Sequence, residues 1–345
     1  MNITFIDLAM HRGGAELSLE SLARELKKKH EITIIAPSGT KLNTETGFIL
    51  LRGSRYFAQS KRGARALIAG IKILMLGMTS KCRNLIISNT FKAHIMAAGM
   101  KLTGRAKNWI IVERDVPENI VIRMIKQILH SGADRTVFIS DFLRKQYPGS
   151  EGIVISNIIK PVECSEGEQS PYMLLFAGDL TYQKGLDRVI EVFDRLRKTD
   201  SQFELTVAGA PVAYSGQSPV KTRRGIHYEG YVQRSKLYSK AGFIILLNRK
   251  TESFSRVVYE AMKCGIVPVI LKGNGMDDYT IDNVNALKFN RYMPDEICRR
   301  IISTIESGHY EKMRNNLGDA FEYEECINVG KHWLELIEQL SHIQT

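Results

Sequence analysis

Residues 243–271 read FIILLNRKTESFSRVVYEAMKCGIVPVIL. FIILL is an apolar run of strand length, too short for a helix. Beyond a polar loop, Phe254, Val257, Val258, Ala261 and Met262 recur at i, i+3, i+4, i+7 and i+8, which marks one buried helix face. Gly265 stops that helix, and Ile266–Leu271 form a second strand. The stretch is a strand–loop–helix–strand unit, and open parallel sheets made of such units bind ligands at the carboxyl ends of their strands. Glu252 lies in the loop and Glu260 on the helix, with seven residues between them. Glu260 sits off the most apolar stripe, where a carboxylate can accept hydrogen bonds from two adjacent sugar hydroxyls. The backbone amides of Phe254 and Ser255 stand at the helix start, where the macrodipole favours an anion. On spacing alone, an ordinary surface helix with two unrelated glutamates reads equally well.

At 345 residues the chain accommodates two domains, each able to bury a core. Its 44% hydrophobic and 25% charged content is that of a soluble globular protein. Cys82, Cys164, Cys264, Cys298 and Cys326 are scattered and odd in number, without a CxxC pair. That spacing implies neither a disulfide framework nor a zinc site, and it points to a reducing cytosol. The start, MNITFIDLAM, lacks the charged segment and long apolar core of a signal peptide. The apolar stretch Ala66–Thr79 is interrupted by Lys72 and too short to span a bilayer.

The net charge of +11 is unevenly spread. Residues 1–160 hold 25 Lys and Arg against 12 Asp and Glu, or +13, whereas the remaining 185 hold 23 against 25, or −2. No acidic residue occurs between Glu45 and Glu113, a span with twelve Lys or Arg. Such a half implies an anionic partner: lipid headgroups, nucleic acid or a phosphorylated acceptor. Within it, residues 55–83 combine seven basic residues with many Leu, Ile and Met. They read either as an interfacial helix on anionic membrane or as a core helix with a solvated cationic face.

Along the chain, NITFIDL is the first strand, Leu17–Lys29 a helix and Glu31–Ala36 the next strand, an opening βαβ unit. Leu85–Ser88, Trp109–Val112 and Thr136–Ser140 are further strands, with a helix at 141–147. A polar linker with Pro161 and Pro171 then places a domain boundary near residue 160. The alternation restarts with strand Tyr172–Ala177 and helix Leu186–Leu196, then strands Phe203–Ala208 and Ile226–Val232. Asp295–Glu306 and Lys331–Leu340 read as helices.

ESFSRVVYEAMKCGIVPVI resembles the Glu-x(7)-Glu signature of the retaining glycosyltransferases of family 4, including its Ala-Met-x-x-Gly-x-x-Pro-Val tail. The resemblance implies an α/β chain of the GT-B fold, two Rossmann-like domains with parallel sheets facing across a cleft. It allots 1–160 to acceptor binding, 161–325 to the nucleotide sugar, and 326–345 to a helix crossing back to the N-terminal domain. Gly178 to Gly185 resembles the family's Gly-Arg-x-x-x-x-Lys-Gly loop around the donor diphosphate. Lys184 and Gly185 match, but Asp179 stands where the Arg is usual, and a carboxylate cannot bind phosphate. Arg256 is the nearest replacement, or else a solvent-facing helix residue. Gly13 and Gly14, in a loop similar to the family's Gly-Gly-Ala-Glu, would lie under the phosphates, and Tyr231, after Gly230, would meet the base. Glu113 and Arg114 occupy the place where many members carry a His near the acceptor; an exposed ion-pair cluster is the plainer alternative.

These matches imply a retaining, metal-independent hexosyltransferase that moves a sugar from a nucleotide-diphosphate sugar, UDP- or GDP-linked, to a saccharide or lipid-linked acceptor. Envelope polysaccharide or glycolipid synthesis, at the inner face of the plasma membrane, is the setting they suggest. In that account Lys184 stabilises the leaving diphosphate, Glu252 holds the transferred sugar and Glu260 the ribose, with no cofactor and no metal. Two alternatives stay open: another GT-B enzyme such as a nucleotide-sugar epimerase, and a non-catalytic nucleic-acid binder using the basic half. The aromatic-interleaved basic surface needed for single strands is poorly developed between residues 46 and 112, which disfavours a nucleic-acid partner.

Overall fold

The computed structural model describes the chain apart from residues 10–12, 39–41, 43–46, 52–63, 81–84, 160–161, 163, 165–168, 210–222, 231, 233–236, 320–323 and 343–345. It forms two compact units, Met1–Lys160 together with Glu324–Thr345, and Pro161–Tyr323.

In the first unit seven strands form one parallel sheet. They are β1 (Asn2–Ile6), β2 (Glu31–Pro37), β3 (Gly47–Leu51), β4 (Leu85–Ser88), β5 (Asn108–Glu113), β6 (Arg135–Phe138) and β7 (Ile153–Val154). Their order is β3-β2-β1-β4-β5-β6-β7, so the direction of winding reverses between β1 and β4. Helices α1 (Gly14–Leu26), α2 (Ala64–Thr79), α3 (Phe91–Leu102), α4 (Ile120–Gly132) and the short α5 (Asp141–Lys145) connect them. Right-handed crossovers put α1 on one face of the sheet and α2, α3 and α4 on the other. The last helix of the chain, Glu324–His342, packs on α1 and buries Trp333, Leu336, Ile337 and Leu340. LII of β4 and WIIV of β5 are apolar at every position because a parallel strand is covered on both sides.

The second unit repeats the plan with six parallel strands. These are β8 (Ser170–Ala177), β9 (Glu204–Ala208), β10 (Ile226–Gly230), β11 (Ala241–Leu246), β12 (Val267–Leu271) and β13 (Leu287–Phe289), in the order β10-β9-β8-β11-β12-β13. FIILL of 243–247 forms most of the central β11, with Phe243 opposite Leu174 of β8 and Val267 of β12. Helix α6 (Leu186–Thr199) follows β8, and the signature helix α7 (Arg256–Lys263) follows β11, burying Val258, Ala261 and Met262. Gly265 ends it at φ +77°, and α8 (Pro294–Glu306) and α9 (His309–Asp319) complete the unit. The winding reverses between β8 and β11, and that switch point opens a crevice at the carboxyl edge of the sheet.

One cysteine expectation is overturned. Cys164 and Cys264 form a disulfide, with Cα atoms 5.4 Å apart although 100 positions separate them in sequence. The fold brings the linker beside the end of α7, where Gln169 Nε2 also donates to the Cys264 carbonyl at 2.7 Å. Spacing along the chain carries no trace of that proximity, so the scattered cysteines do not argue for a reducing compartment. Cys298 is free and buried, and burial pushes its thiol up to about 11.

Candidate active site

At the switch point of the second unit, the loops after β8 and β11 meet. The first is a turn in which Gly185 adopts φ +70° and ψ +29° and starts α6. A side chain has no room there, because a Cβ on Gly185 would stand 2.2 Å from the Leu247 carbonyl oxygen at the end of β11. Arg249 N–H donates to the Gln183 carbonyl at 2.8 Å, and Arg188 Nη1 donates to the Leu247 carbonyl at 3.2 Å, stitching the two loops together. This nesting sets Lys184 against Glu252, whose Oε1 accepts from Lys184 Nζ. Both side chains are partly open to solvent, at 30% and 17% exposure, so a ligand can reach the pair.

The Glu252 loop is held from its other side. Gly275 N–H donates to the Glu252 carbonyl at 2.8 Å, and a Cβ at Gly275 would fall 1.7 Å from the Ser253 carbonyl oxygen. The Phe254 ring packs with Tyr259 and Tyr279, each at 5.6 Å between centroids. Ser255 is the buried N-cap of α7, and its hydroxyl does not cap the helix. A cavity of about 200 Å³ opens here, lined by Asn248, Thr251, Glu252, Ser255, Lys272 and Asn274 among others. On the far side of β8, three adjacent strands end in Gly178, Gly209 and Gly230. Gly178 N–H donates to the Ala208 carbonyl at 3.0 Å, and Gly209 N–H to the Gly230 carbonyl at 2.7 Å. This rim of bare backbone lets a flat or anionic group approach closely.

The other expected donor residues are placed differently. Glu260 is only 1% exposed; it accepts from the Tyr238 hydroxyl at 3.1 Å, and Arg256 lies 3.5 Å from it. Arg256 thus turns onto Glu260, one helical turn on, and not toward the Lys184 loop. The cation beside that loop is Arg249, which sequence reasoning missed. It pairs with both oxygens of Asp187, at 2.6 and 2.5 Å, and stacks 3.7 Å over the Tyr182 ring. Asp179 is exposed, and Tyr231 lies outside the described residues.

In the first unit, the carboxyl edge carries a buried polar chain around its own switch point. Asp7, after β1, accepts from the Ala9 amide at 2.8 Å and from Asn89 Nδ2, after β4, at 2.7 Å. Asn89 Oδ1 accepts from Arg114 Nε, and Arg114 Nη1 reaches Asn157 Oδ1. Burial raises the pKa of Asp7; it also raises that of Glu16, helped by Asp7's charge. Gly13 N–H donates to Glu16 Oε2 at 2.7 Å, and Gly14 opens α1. Glu113 is not an exposed ion pair: at 1% exposure it binds Lys126 Nζ at 2.7 Å and His130 Nε2 at 3.2 Å. Burial alone would raise its pKa, but His130 and Lys126 hold the carboxyl down at about 2. It also accepts from the Arg114 and Asp115 amides, at 3.1 Å each, so Glu113 shapes the turn that presents Arg114. Asp7 and Asn89 each directly follow a strand, a signal that was legible but weak alone.

Residues 165–321 match the family of glycosyl transferases, group 1. That match spans the second unit's switch-point loops, including Lys184, Glu252 and Gly275. An uncharacterised glycosyltransferase of Methanocaldococcus jannaschii is 24% identical over 57% of this chain and 58% of its own length. The lipopolysaccharide 1,2-N-acetylglucosaminetransferase of Salmonella typhimurium is 22% identical over 43% of this chain and 42% of its own length. The chain thus matches about half the length of these relatives. Among solved structures, Anabaena HepE, determined with UDP and glucose, aligns with a TM-score of 0.77 at 17% identity, over 97% of this chain and 99% of that one. At that identity the likeness shows the fold, which is GT-B.

Proposed function

We propose that the protein is a retaining, metal-independent glycosyltransferase. It transfers a sugar from a nucleotide-diphosphate sugar, UDP-linked by preference, to a saccharide or lipid-linked acceptor of envelope polysaccharide or glycolipid. The observation that carries this reading is the Lys184–Glu252 pair at the switch point, beside a glycine rim at the ends of β8, β9 and β10. Lys184 carries the charge a departing diphosphate needs, and Glu252 carries the acceptor oxygens that sugar hydroxyls need. Breaking the sugar–phosphate bond leaves the electron pair on the diphosphate, where Lys184 stabilises it, and the acceptor hydroxyl's proton passes to that same phosphate oxygen. The family match over 165–321 and the donor-type ligands of HepE support the choice of substrate.

The test is turnover of UDP- and GDP-sugars with and without acceptor glycans. Lys184→Ala should lower kcat by about 10²–10³, the scale for removing one electrostatic stabiliser. Glu252→Gln, which keeps the shape and loses the charge, should lower kcat more than it raises KM. Wild-type rates in a folded Lys184→Ala protein would refute the assignment.

A further inference from the structure

On one face of the N-terminal unit's sheet, α2 and α4 present apolar residues outward. On α2 these are Leu67, Ile68, Ile71, Met75 and Met78, spaced i, i+1, i+4, i+8 and i+11. On α4 they are Ile120, Val121, Met124, Ile125 and Ile128, spaced i, i+1, i+4, i+5 and i+8. Leu67 and Ile128 are 67% and 71% exposed. The inward side of α4 is occupied instead by Lys126 and His130, both bound to Glu113. That ion cluster prevents α4 from rolling its apolar face into the core.

The orientation of α2 is set by contact between backbones. A Cβ at Gly77 would stand 2.1 Å from the Met96 carbonyl oxygen, and one at Gly99 would stand 2.3 Å from that of Leu74. Helices α2 and α3 therefore touch along their main chains; Ile73 and Leu76 of α2 pack into the core, and its five other large apolar side chains named above face away. Isolated exposed apolar residues are normal on any protein, but two helical stripes of five on one side of a sheet are not.

Charge selects what covers them. Helices α2, α3 and α4 contain no Asp or Glu, and beside the buried Lys126 they hold Lys72, Lys92, Lys101 and Arg123. Lys101 pairs with Asp134 at 2.7 Å, and Lys72 and Lys92 also interact within the chain. A second copy of the chain would bring matching cationic faces together as it buried the stripes. An anionic bilayer supplies an apolar phase and opposite charge at once. We infer that α2 and α4 form a docking face for membranes containing anionic lipid, on which the protein lies without spanning. Among the described residues no helix is long and apolar enough to cross. The inference stands apart from the donor chemistry.

Co-sedimentation with phosphatidylcholine vesicles, with and without phosphatidylglycerol, tests it. The full chain should pellet with the anionic vesicles. Binding should fall as salt shortens the Debye length from about 10 Å at 0.1 M to about 3 Å at 1 M. Leu67→Glu and Ile128→Glu should each lower partitioning about tenfold or more, the scale for keeping one large aliphatic side chain out of an apolar phase. Their circular dichroism and Tm should stay as in wild type, because both side chains lie outside the core, and Leu67→Met and Ile128→Leu should bind normally. Wild-type protein left in the supernatant with anionic vesicles at low salt overturns the inference, as does undiminished binding by the paired Glu variant. A dimer in analytical ultracentrifugation that Leu67→Glu splits would overturn it too, since a second copy would then own the face.

Discussion

Replacing Gly185 by alanine tests the link between the backbone of the switch point and its chemistry. Two costs arise. At φ +70° a non-glycine residue is strained by about 1–2 kcal/mol. The new Cβ would also stand 2.2 Å from the Leu247 oxygen and 2.9 Å from its carbonyl carbon, which forces a shift of roughly 1 Å to reach ordinary contact. Leu247 is buried at the end of the central strand, and its carbonyl accepts from Arg188. It therefore holds, and the Lys184 turn moves. Overpacking of this kind adds about 1–3 kcal/mol, for a total of about 2–5 kcal/mol. Displacing Lys184 by about 1 Å from Glu252 should also lower donor turnover by about 10²-fold. Gly104→Ala is the control: Gly104 has φ +66° but nothing within 4 Å of its Cβ position, so it carries the strain without the collision. Urea unfolding and turnover of the nucleotide sugar measure both effects. If Gly185→Ala matches Gly104→Ala in stability and keeps wild-type turnover, the nesting argument is wrong.

Acid should unfold the N-terminal unit in two stages. Buried His94, bonded to Ser88 at 2.8 Å, is held neutral by burial with its pKa down at about 3, so its contribution is complete above the ordinary 6.5 and is lost as pH falls toward 3. Glu113, at about 2, keeps its contribution above 4.5 and loses it as pH falls toward 2. Trp109 and Trp333 both belong to this unit, so the urea midpoint read by tryptophan fluorescence reports on it. His94→Gln should flatten the slope below pH 6.5, and parallel slopes in variant and wild type would count against the account. The Cys164–Cys264 bond closes a loop of about 100 residues, so Cys164→Ser should cost the second unit about 4–5 kcal/mol on the chain-entropy model. Identical unfolding with and without reductant would show that the bond does not form in solution.

Much of the second unit was legible because its signals are local. Five apolar residues in a row make a central strand wherever both faces are covered, and a 3.6-residue stripe ending in Gly265 makes a helix. The Lys184-Gly185 turn was recognisable for the same reason: a left-handed residue followed by a helix start leaves its mark in adjacent positions. The first unit was less legible. Helices α3 and α4 escaped notice, α4 because its outward face is the apolar one and its inward face holds Lys126 and His130. A pattern rule that assigns apolar residues to the core has the wrong sign there.

The alternation of strands and helices and the residue types that stand after each strand are legible in the chain alone. Those follow from backbone propensity and periodicity, which act over a few residues. How their charges are used is set by the tertiary fold. It paired Lys184 with Glu252 across 68 positions, turned Arg256 onto Glu260, and buried Glu113 against Lys126 and His130. It also joined Cys164 to Cys264. Each of these depends on which loops a parallel sheet brings to one edge, and strand order is set by packing of the whole sheet, not by any stretch of chain within it.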